Sequence, residues 1–185
     1  MTVCQLFSGG LDSACLWWIM DRPPALFVGG PFGPARDASL GEARAVERMA
    51  ELCPEFRDKL CLVGLDCRPF MRPDSWLFPR DELCALLAWG AGFDGVALGW
   101  CKDDGMTEAR VQSASEHLRQ ALPREFPFSV SFPAWNMTKK EMVRAALGAG
   151  ASREFLAASY SCVMSSDPCG ACVNCKQRTL ALEGV

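Results

Sequence analysis

Apolar and polar positions fall in alternating blocks along the chain. Val3-Cys4-Gln5-Leu6-Phe7 predicts a short strand running into the glycine turn Ser8-Gly9-Gly10-Leu11-Asp12-Ser13, with a helix beginning near Ala14. Asp21-Arg22-Pro23-Pro24 stops the helical period, and Ala25-Leu26-Phe27-Val28 reads as a buried strand. Residues 29–38 read as loop. Ser39 with Glu42 three residues on forms a capping box for a helix that carries through Met49-Ala50-Glu51-Leu52 until Pro54 blocks it. Leu60-Cys61-Leu62-Val63 is a third strand, Arg80 to Trp89 a largely apolar helix, and Val96-Ala97-Leu98 a strand ending at Gly99. A helix over Thr107–Leu122, a strand over Ser129–Phe132, and a helix capped by Thr138 with Glu141 and ending near Gly148 complete the pattern.

Such alternation predicts an α/β fold, a doubly wound parallel sheet with helices on both faces, because each crossover must return the chain in the same direction. Ligands in that architecture gather at the carboxyl ends of the strands. The Ser8–Ser13 turn, the loops after Val28 and Val63, and the Gly99–Gly105 loop all fall there. A chain of 185 residues, 50% hydrophobic, suits one globular unit, with residues 1–158 as its α/β body and 159–185 as a small C-terminal element. Net charge is −3, which argues against a broad nucleic-acid surface. No apolar run approaches the roughly 18 residues of a membrane span, and the N-terminus enters the first strand without a leader, so a cytoplasmic protein with no membrane contact is expected.

The Ser8–Ser13 turn carries the first candidate chemistry. Two glycines let the backbone approach phosphate oxygens, and the amides opening the following helix offer donors at the positive end of its dipole. The ATP contacts are therefore expected over Phe7, Ser8, Gly9, Gly10, Leu11, Asp12, Ser13, Ala14, Cys15 and Leu16. Asp12 is out of place against phosphate unless Mg²⁺ lies between them or the carboxylate shapes the turn. The spacing is neither the lysine-containing nucleotide loop nor G-x-G-x-x-G. It resembles the pyrophosphatase loop, S-G-G-x-D-S, of enzymes that split ATP between its α and β phosphates.

Cysteine supplies the second. Of eleven, Cys4, Cys15, Cys61 and Cys84 sit in apolar runs and read as small buried hydrophobes, while Cys53, Cys67 and Cys101, near element ends, read as core residues. Cys162, Cys169, Cys172 and Cys175 crowd into fourteen positions, with Gly170 allowing a sharp turn and Cys175 in the first turn of a closing helix through Arg178 and Leu180. Four thiolates at that spacing suit one structural tetrahedral zinc. An iron–sulfur cluster uses the same ligands.

The S-G-G-x-D-S loop joined to a C-terminal C-x6-C-G-x-C-x2-C cluster resembles the 7-cyano-7-deazaguanine synthase family, often called QueC-like. Phe78-Pro79-Arg80-Asp81 is similar to the family's P-G-R-N segment, Leu98 through Asp104 to its G-x-C-x-x-D loop, and Pro133-Ala134-Trp135 with Lys139 and Glu141 to its T-P-L…K-x-E segment. The resemblance implies an adenine nucleotide α-hydrolase-like, Rossmann-like fold and an enzyme that uses MgATP to adenylate 7-carboxy-7-deazaguanine. Ammonia then gives an amide, and a second ATP drives dehydration to the nitrile. Attaching AMP supplies the leaving group that a carboxylate lacks, so charge stabilisation matters more than a protein nucleophile.

Asp12, Lys139 and Arg80 are the candidate catalytic residues: Lys139 and Arg80 for charge on phosphate or carboxylate, Asp12 for Mg²⁺ or loop geometry. Trp100, Lys102 and Asp104 are candidate substrate contacts, Trp100 as a platform for a purine-like ring. His117, the sole histidine, lies on the Thr107–Leu122 helix and is not the expected base. A homodimer is compatible with this reading. Two segments depart from the family pattern: Pro31–Arg36, where an aromatic-Gly-Gln-Arg-His segment is usual, and Met106–Arg110, in place of Tyr-Pro-Asp-Cys-Arg. ATP activation is thus better supported than the acceptor. Relatives in anti-phage operons join a deazaguanine carboxylate to another amine, such as a protein end. Two further readings remain: sulfur or amide transfer to another small molecule or tRNA, and a zinc-stabilised nucleotide-binding module without turnover.

Overall fold

A computed structural model describes residues 2–29, 36–64, 80–120 and 127–183. Five parallel strands, β1 (Val3–Leu6), β2 (Ala25–Gly29), β3 (Leu60–Gly64), β4 (Gly95–Ala97) and β5 (Ser129–Ser131), form one sheet in the order β3-β2-β1-β4-β5. Central β1 pairs with β2 on one side, Leu6 opposite Leu26, and with β4 on the other, Cys4 opposite Val96. The chain winds outward from β1 to β3, then restarts at β4 and winds the other way. The β1/β4 junction is therefore the switch point, where the strand ends leave a crevice.

Alternating strand side chains feed two cores. Ala25, Phe27 and Ala97 pack beneath α1 (Leu11–Ile19), α2 (Arg36–Leu52) and α6 (Lys139–Gly148), where Phe56 meets Trp17 and Phe155 edge to face at 5.1 and 5.5 Å and Trp17 lies tilted against Phe155 at 5.9 Å. Cys4, Leu26, Val28, Val96 and Leu98 face the opposite way, onto α4 (Arg80–Gly90) and α5 (Glu108–Gln120). The doubly wound α/β class expected from the alternation is the class observed. Near the C-terminus, α7 (Arg153–Ala157) and α8 (Val173–Glu183) follow, with Cys175 and Ala181 of α8 buried in the α1 core.

Several local expectations are corrected. α1 begins at Leu11, not Ala14: Gly10 is its N-cap, and the buried Leu11 side chain draws Asp12 and Ser13 into the first turn, where a carboxylate suits the dipole. α2 begins at Arg36, upstream of the expected Ser39 cap, because 36–38 contain no residue that opposes a helix. Pro54 does end α2, yet it also opens α3 (Pro54–Lys59) as its first residue, a position that needs no N–H. Cys61 is exposed, not buried, because β3 pairs only with β2 among the described residues. An apolar run does not reveal whether its strand is central or at an edge. Cys4, Cys15, Cys84 and Cys101 are buried, Cys53 half-buried, and Cys67 lies outside the described residues. No helix among the described residues is long and apolar enough to cross a membrane.

Candidate functional site

The Ser8–Ser13 turn sits at the end of β1, in the crevice. Gly9 has φ +78°, and a Cβ there would lie 2.8 Å from the Glu42 carbonyl oxygen and 3.2 Å from Val46 of α2, so both conformation and space demand glycine. The Ser13 hydroxyl donates to the Gly10 carbonyl at 2.9 Å, lies 3.2 Å from the Ser8 hydroxyl, and accepts the Ser8 amide at 3.3 Å. Beneath it, buried Gln5 donates through Nε2 to the Ser13 carbonyl at 2.6 Å. Gly99, ending the β4 segment, would place a Cβ 3.1 Å from the Ser13 amide nitrogen, which lets the second loop press against the first turn of α1. The serines thus shape a concave amide-lined turn that can receive phosphate oxygens.

That second loop delivers a charged centre. Lys139, 7% exposed on the first turn of α6, donates through Nζ to Asp12 Oδ2 at 2.6 Å and to Asp104 Oδ1 at 2.9 Å, and lies 3.6 Å from Cys101 Sγ. Its backbone amide donates to Asp103 at 2.7 Å. The helix is held in register by a reciprocal cap, in which the Glu141 amide donates to the Thr138 hydroxyl at 3.3 Å and the Thr138 amide to the Glu141 carboxylate at 2.7 Å. Burial alone would depress the Lys139 ammonium, but Asp12 and Asp104 reverse the effect and hold it above its ordinary value. Burial raises the Asp12 carboxyl, with Lys139 pulling the other way. Cys101, shut in beside the same carboxylates, has its thiol pushed up to about 12 by burial, so it is a neutral wall of the site and not a thiolate.

Asp12 thus does more than shape its own turn: its side chain is 26% exposed and tied to a buried cation from 127 residues away. Asp12→Asn should keep the fold, with melting temperature within about 5 °C, while pyrophosphate release falls at least ~100-fold. Wild-type turnover would remove Asp12 from the mechanism. Cys101 is the residue that sequence reasoning assigned to the core and missed here. The loop in which it lies, Leu98 through Asp104, was the available signal.

Three adjoining cavities meet at this centre, and Asp104 lines all of them. One of 190 Å³ runs between Phe7 and Ser8 on one side and Leu26, Val28, Leu98 and Gly99 on the other. A second, of 150 Å³, extends over the Ser8–Ser13 turn from Lys139 to Tyr160 and Cys162. The third is a groove of 690 Å³ between Trp100 and α5. Trp100 and Asp104 lie at these cavities, whereas Lys102, exposed on the 3-10 turn Lys102–Asp104, is not among their linings and has its charge near Glu141. His117 is exposed on the rim of the groove. Arg80 opens α4, but its side chain lies outside the described residues, as does the departing segment 31–35.

The Sγ atoms of Cys162, Cys169, Cys172 and Cys175 lie within 4.8 Å of one another, close to the roughly 3.8 Å edge of a tetrahedron with metal–sulfur bonds of about 2.3 Å. Amides of Met164, Cys172 and Cys175 each point at a sulfur from 3.4 Å, of Cys162, Cys169 and Cys172 respectively. Burial works against ionising Cys162, but the amides around it bring its thiol down to about 5, and the Cys175 amide lowers Cys172. Burial drives Cys175 up to about 12. Amide donors that favour thiolates, around sulfurs too close to ionise together without a cation, make a site that can bind zinc. The cluster also reaches the Ser8–Ser13 turn: Tyr160, two residues before Cys162, donates its amide to the Gly9 carbonyl at 2.8 Å.

The sequence model of the family described as Queuosine biosynthesis protein QueC matches residues 82–185, more than half the chain, and the chain belongs to that family. No curated protein matches it.

Proposed function

We propose that this member of the QueC family is an ATP-dependent carbon–nitrogen ligase that adenylates the carboxylate of 7-carboxy-7-deazaguanine, releases pyrophosphate and passes the acyl group to ammonia or another amine. The observation that supports it best is the meeting of three cavities at the Lys139–Asp12–Asp104 centre, beside an amide-lined turn. Adenylation requires an acid, an α-phosphate and a cation in one place.

In this reading the 190 Å³ cavity takes the nucleoside and the 150 Å³ cavity the phosphates. The turn amides hold phosphate oxygens. The Lys139 ammonium faces two carboxylates, Asp12 and Asp104, and Asp103 lies on its backbone amide, so the centre is formally anionic and would repel a polyphosphate. Asp12 and Asp104 are oxygen ligands of the kind Mg²⁺ takes, and would hold the ion that lets phosphate approach and that offsets charge as pyrophosphate leaves. Lys139, freed in part from its carboxylates, then serves the pentavalent phosphorus. The acyl carbon is attacked by the amine, and AMP departs. Cys162, Cys169, Cys172 and Cys175 would hold zinc as a structural ion, stabilising the segment that walls the phosphate cavity.

Dehydration of the amide needs a second ATP held in line with a neutral, weakly nucleophilic oxygen, a more exacting geometry than the first step. The Met106–Arg110 segment that departs from the family pattern flanks the groove. The expected product with MgATP and ammonia is accordingly the amide, or an amine-linked compound, and not the nitrile. Mass spectrometry after exhaustive incubation decides: full conversion to the nitrile would show these substitutions to be silent, and no acid-dependent pyrophosphate would overturn the ligase reading.

A further inference from the structure

Tyr160, the sole tyrosine of the chain, stands between the four-cysteine cluster and the Ser8–Ser13 turn, and its backbone and its ring are both committed there. Its amide donates to the Gly9 carbonyl at 2.8 Å, and its carbonyl oxygen lies 3.4 Å from where a Gly10 Cβ would stand, so one residue grips both glycines of the turn. The residue is 6% exposed, with its ring against Gly41 of α2. A Cβ on Gly41 would overlap Cζ and Cε2 of that ring and lie 2.8 Å from the Ser166 carbonyl oxygen. Glycine inside a helix costs backbone entropy, and here the bare Cα seats the ring carbon that bears the hydroxyl.

The hydroxyl itself is buried and has no hydrogen-bond partner of ordinary geometry among the described residues. The acceptor it faces is the Cys162 sulfur. Cys162 is the ligand that stands apart from the other three, because six residues separate it from Cys169 while Cys169, Cys172 and Cys175 follow at intervals of three. It is buried, with the Met164 amide 3.4 Å and the Ser165 hydroxyl 3.7 Å from its sulfur. A buried hydroxyl left unmade is costly, and a metal-bound thiolate is a far better acceptor than a thiol. Donors around such a sulfur fix its orientation and draw on its electron density.

From this geometry we propose that Tyr160 is a positioning residue that couples the metal cluster to the nucleotide turn, its hydroxyl donating to the Cys162 thiolate of the loaded cluster while its ring on Gly41 and its backbone on Gly9 and Gly10 hold the turn. The proposal rests on the metal and ATP readings of the two sites. Loading the cluster then gives the phenol its partner, fixes the ring on α2 and, through the same residue, fixes the direction of the turn amides. Tyr160 acts on the nucleotide only through the turn, and no proton leaves it.

The test loads Co²⁺ in place of zinc into the full chain, since its thiolate charge-transfer absorption reports electron density at sulfur and its ligand-field bands report geometry. Tyr160→Phe keeps the ring and the backbone contacts and removes the hydroxyl alone. Both proteins should load cobalt equally with the same tetrahedral ligand-field bands. The charge-transfer band of the variant should move to longer wavelength, because a thiolate that has lost a donor gives up its electron more easily. ATP binding by isothermal titration should weaken about 3- to 10-fold, the size of one lost hydrogen bond. Gly41→Ala, which displaces the ring, should move the band the same way. Packing alone would leave the band in place, since phenylalanine fills the same space. An unmoved band in Tyr160→Phe overturns the hydrogen bond, and a moved band with unchanged ATP affinity overturns the coupling. Wild type that takes up no cobalt would overturn the proposal together with the metal reading. Wild type that loads cobalt but binds no ATP would overturn the coupling together with the ATP reading, with the band still deciding the hydrogen bond.

Discussion

Lys139→Met should lower acid-dependent pyrophosphate release by on the order of 10²- to 10³-fold, the loss typical of removing one charge-stabilising group, and should lower stability by about 2 kcal/mol. Two effects act together. The substitution removes the buried cation and leaves Asp12 and Asp104, which now share Nζ at 2.6 and 2.9 Å, facing each other across apolar methionine. The stability cost is smaller than that of a fully buried pair because both carboxylates keep some water, with 26% and 38% of their side chains exposed. Arginine should not rescue activity, since its longer planar head cannot occupy the point between two oxygens that an ammonium fills. The neighbouring Lys140 is exposed and takes no part, so Lys140→Ala should retain turnover and melting temperature. Pyrophosphate release and a thermal melt on the three variants check this. Activity in Lys139→Met within threefold of wild type would show that the centre is purely structural.

Elemental analysis should find one zinc per chain, and Cys172→Ser should lower the melting temperature by on the order of 10 °C, because ligation and folding of such a site are coupled. The effect should reach the nucleotide. Tyr160 ties the segment before Cys162 to the Gly9 carbonyl, Arg178 of α8 donates to the Ser159 hydroxyl at 3.2 Å and to the Ala157 carbonyl, and Cys162 itself walls the 150 Å³ cavity over the Ser8–Ser13 turn. Stripping the metal should therefore weaken ATP binding at least about tenfold under conditions where the helices still form, a comparison made by titrating ATP while following far-UV circular dichroism. Stoichiometric iron and sulfide would replace zinc with a cluster. Metal-free protein that binds ATP normally would disconnect the two sites.

Much of this protein is written locally. The Gly9-Gly10 turn, the Thr138–Glu141 cap and the Cys169-Gly170-Ala171-Cys172 knuckle each depend on residues a few positions apart, and each is found where the spacing put it. Turn and cap chemistry is short-ranged, and so is the 2.0 or 3.6 period that separates strand from helix. Alternation of the two then leaves few topologies, which is why the parallel, two-faced sheet followed from the order of elements alone.

Neighbourhood is another matter. That β4 and not β3 lies beside β1 is decided by which apolar faces the helices cover, and no stretch of chain records it; yet this pairing brings Asp104 and Cys101 to Asp12. Lys139 looked like one of two equivalent lysines at a helix start, and its burial against two carboxylates appears only when α6 packs on α1. Cys61 shows the same limit from the other side: its apolar run is what a central strand would carry, and it lies exposed on β3 because that strand came last in the winding. The sequence by itself determined most of the elements, the Ser8–Ser13 turn and the four-cysteine cluster, since these arise from interactions within a few residues. The tertiary structure alone decided the charged centre and the groove beside it, because a buried cation and its partners are selected by packing across more than a hundred positions of chain.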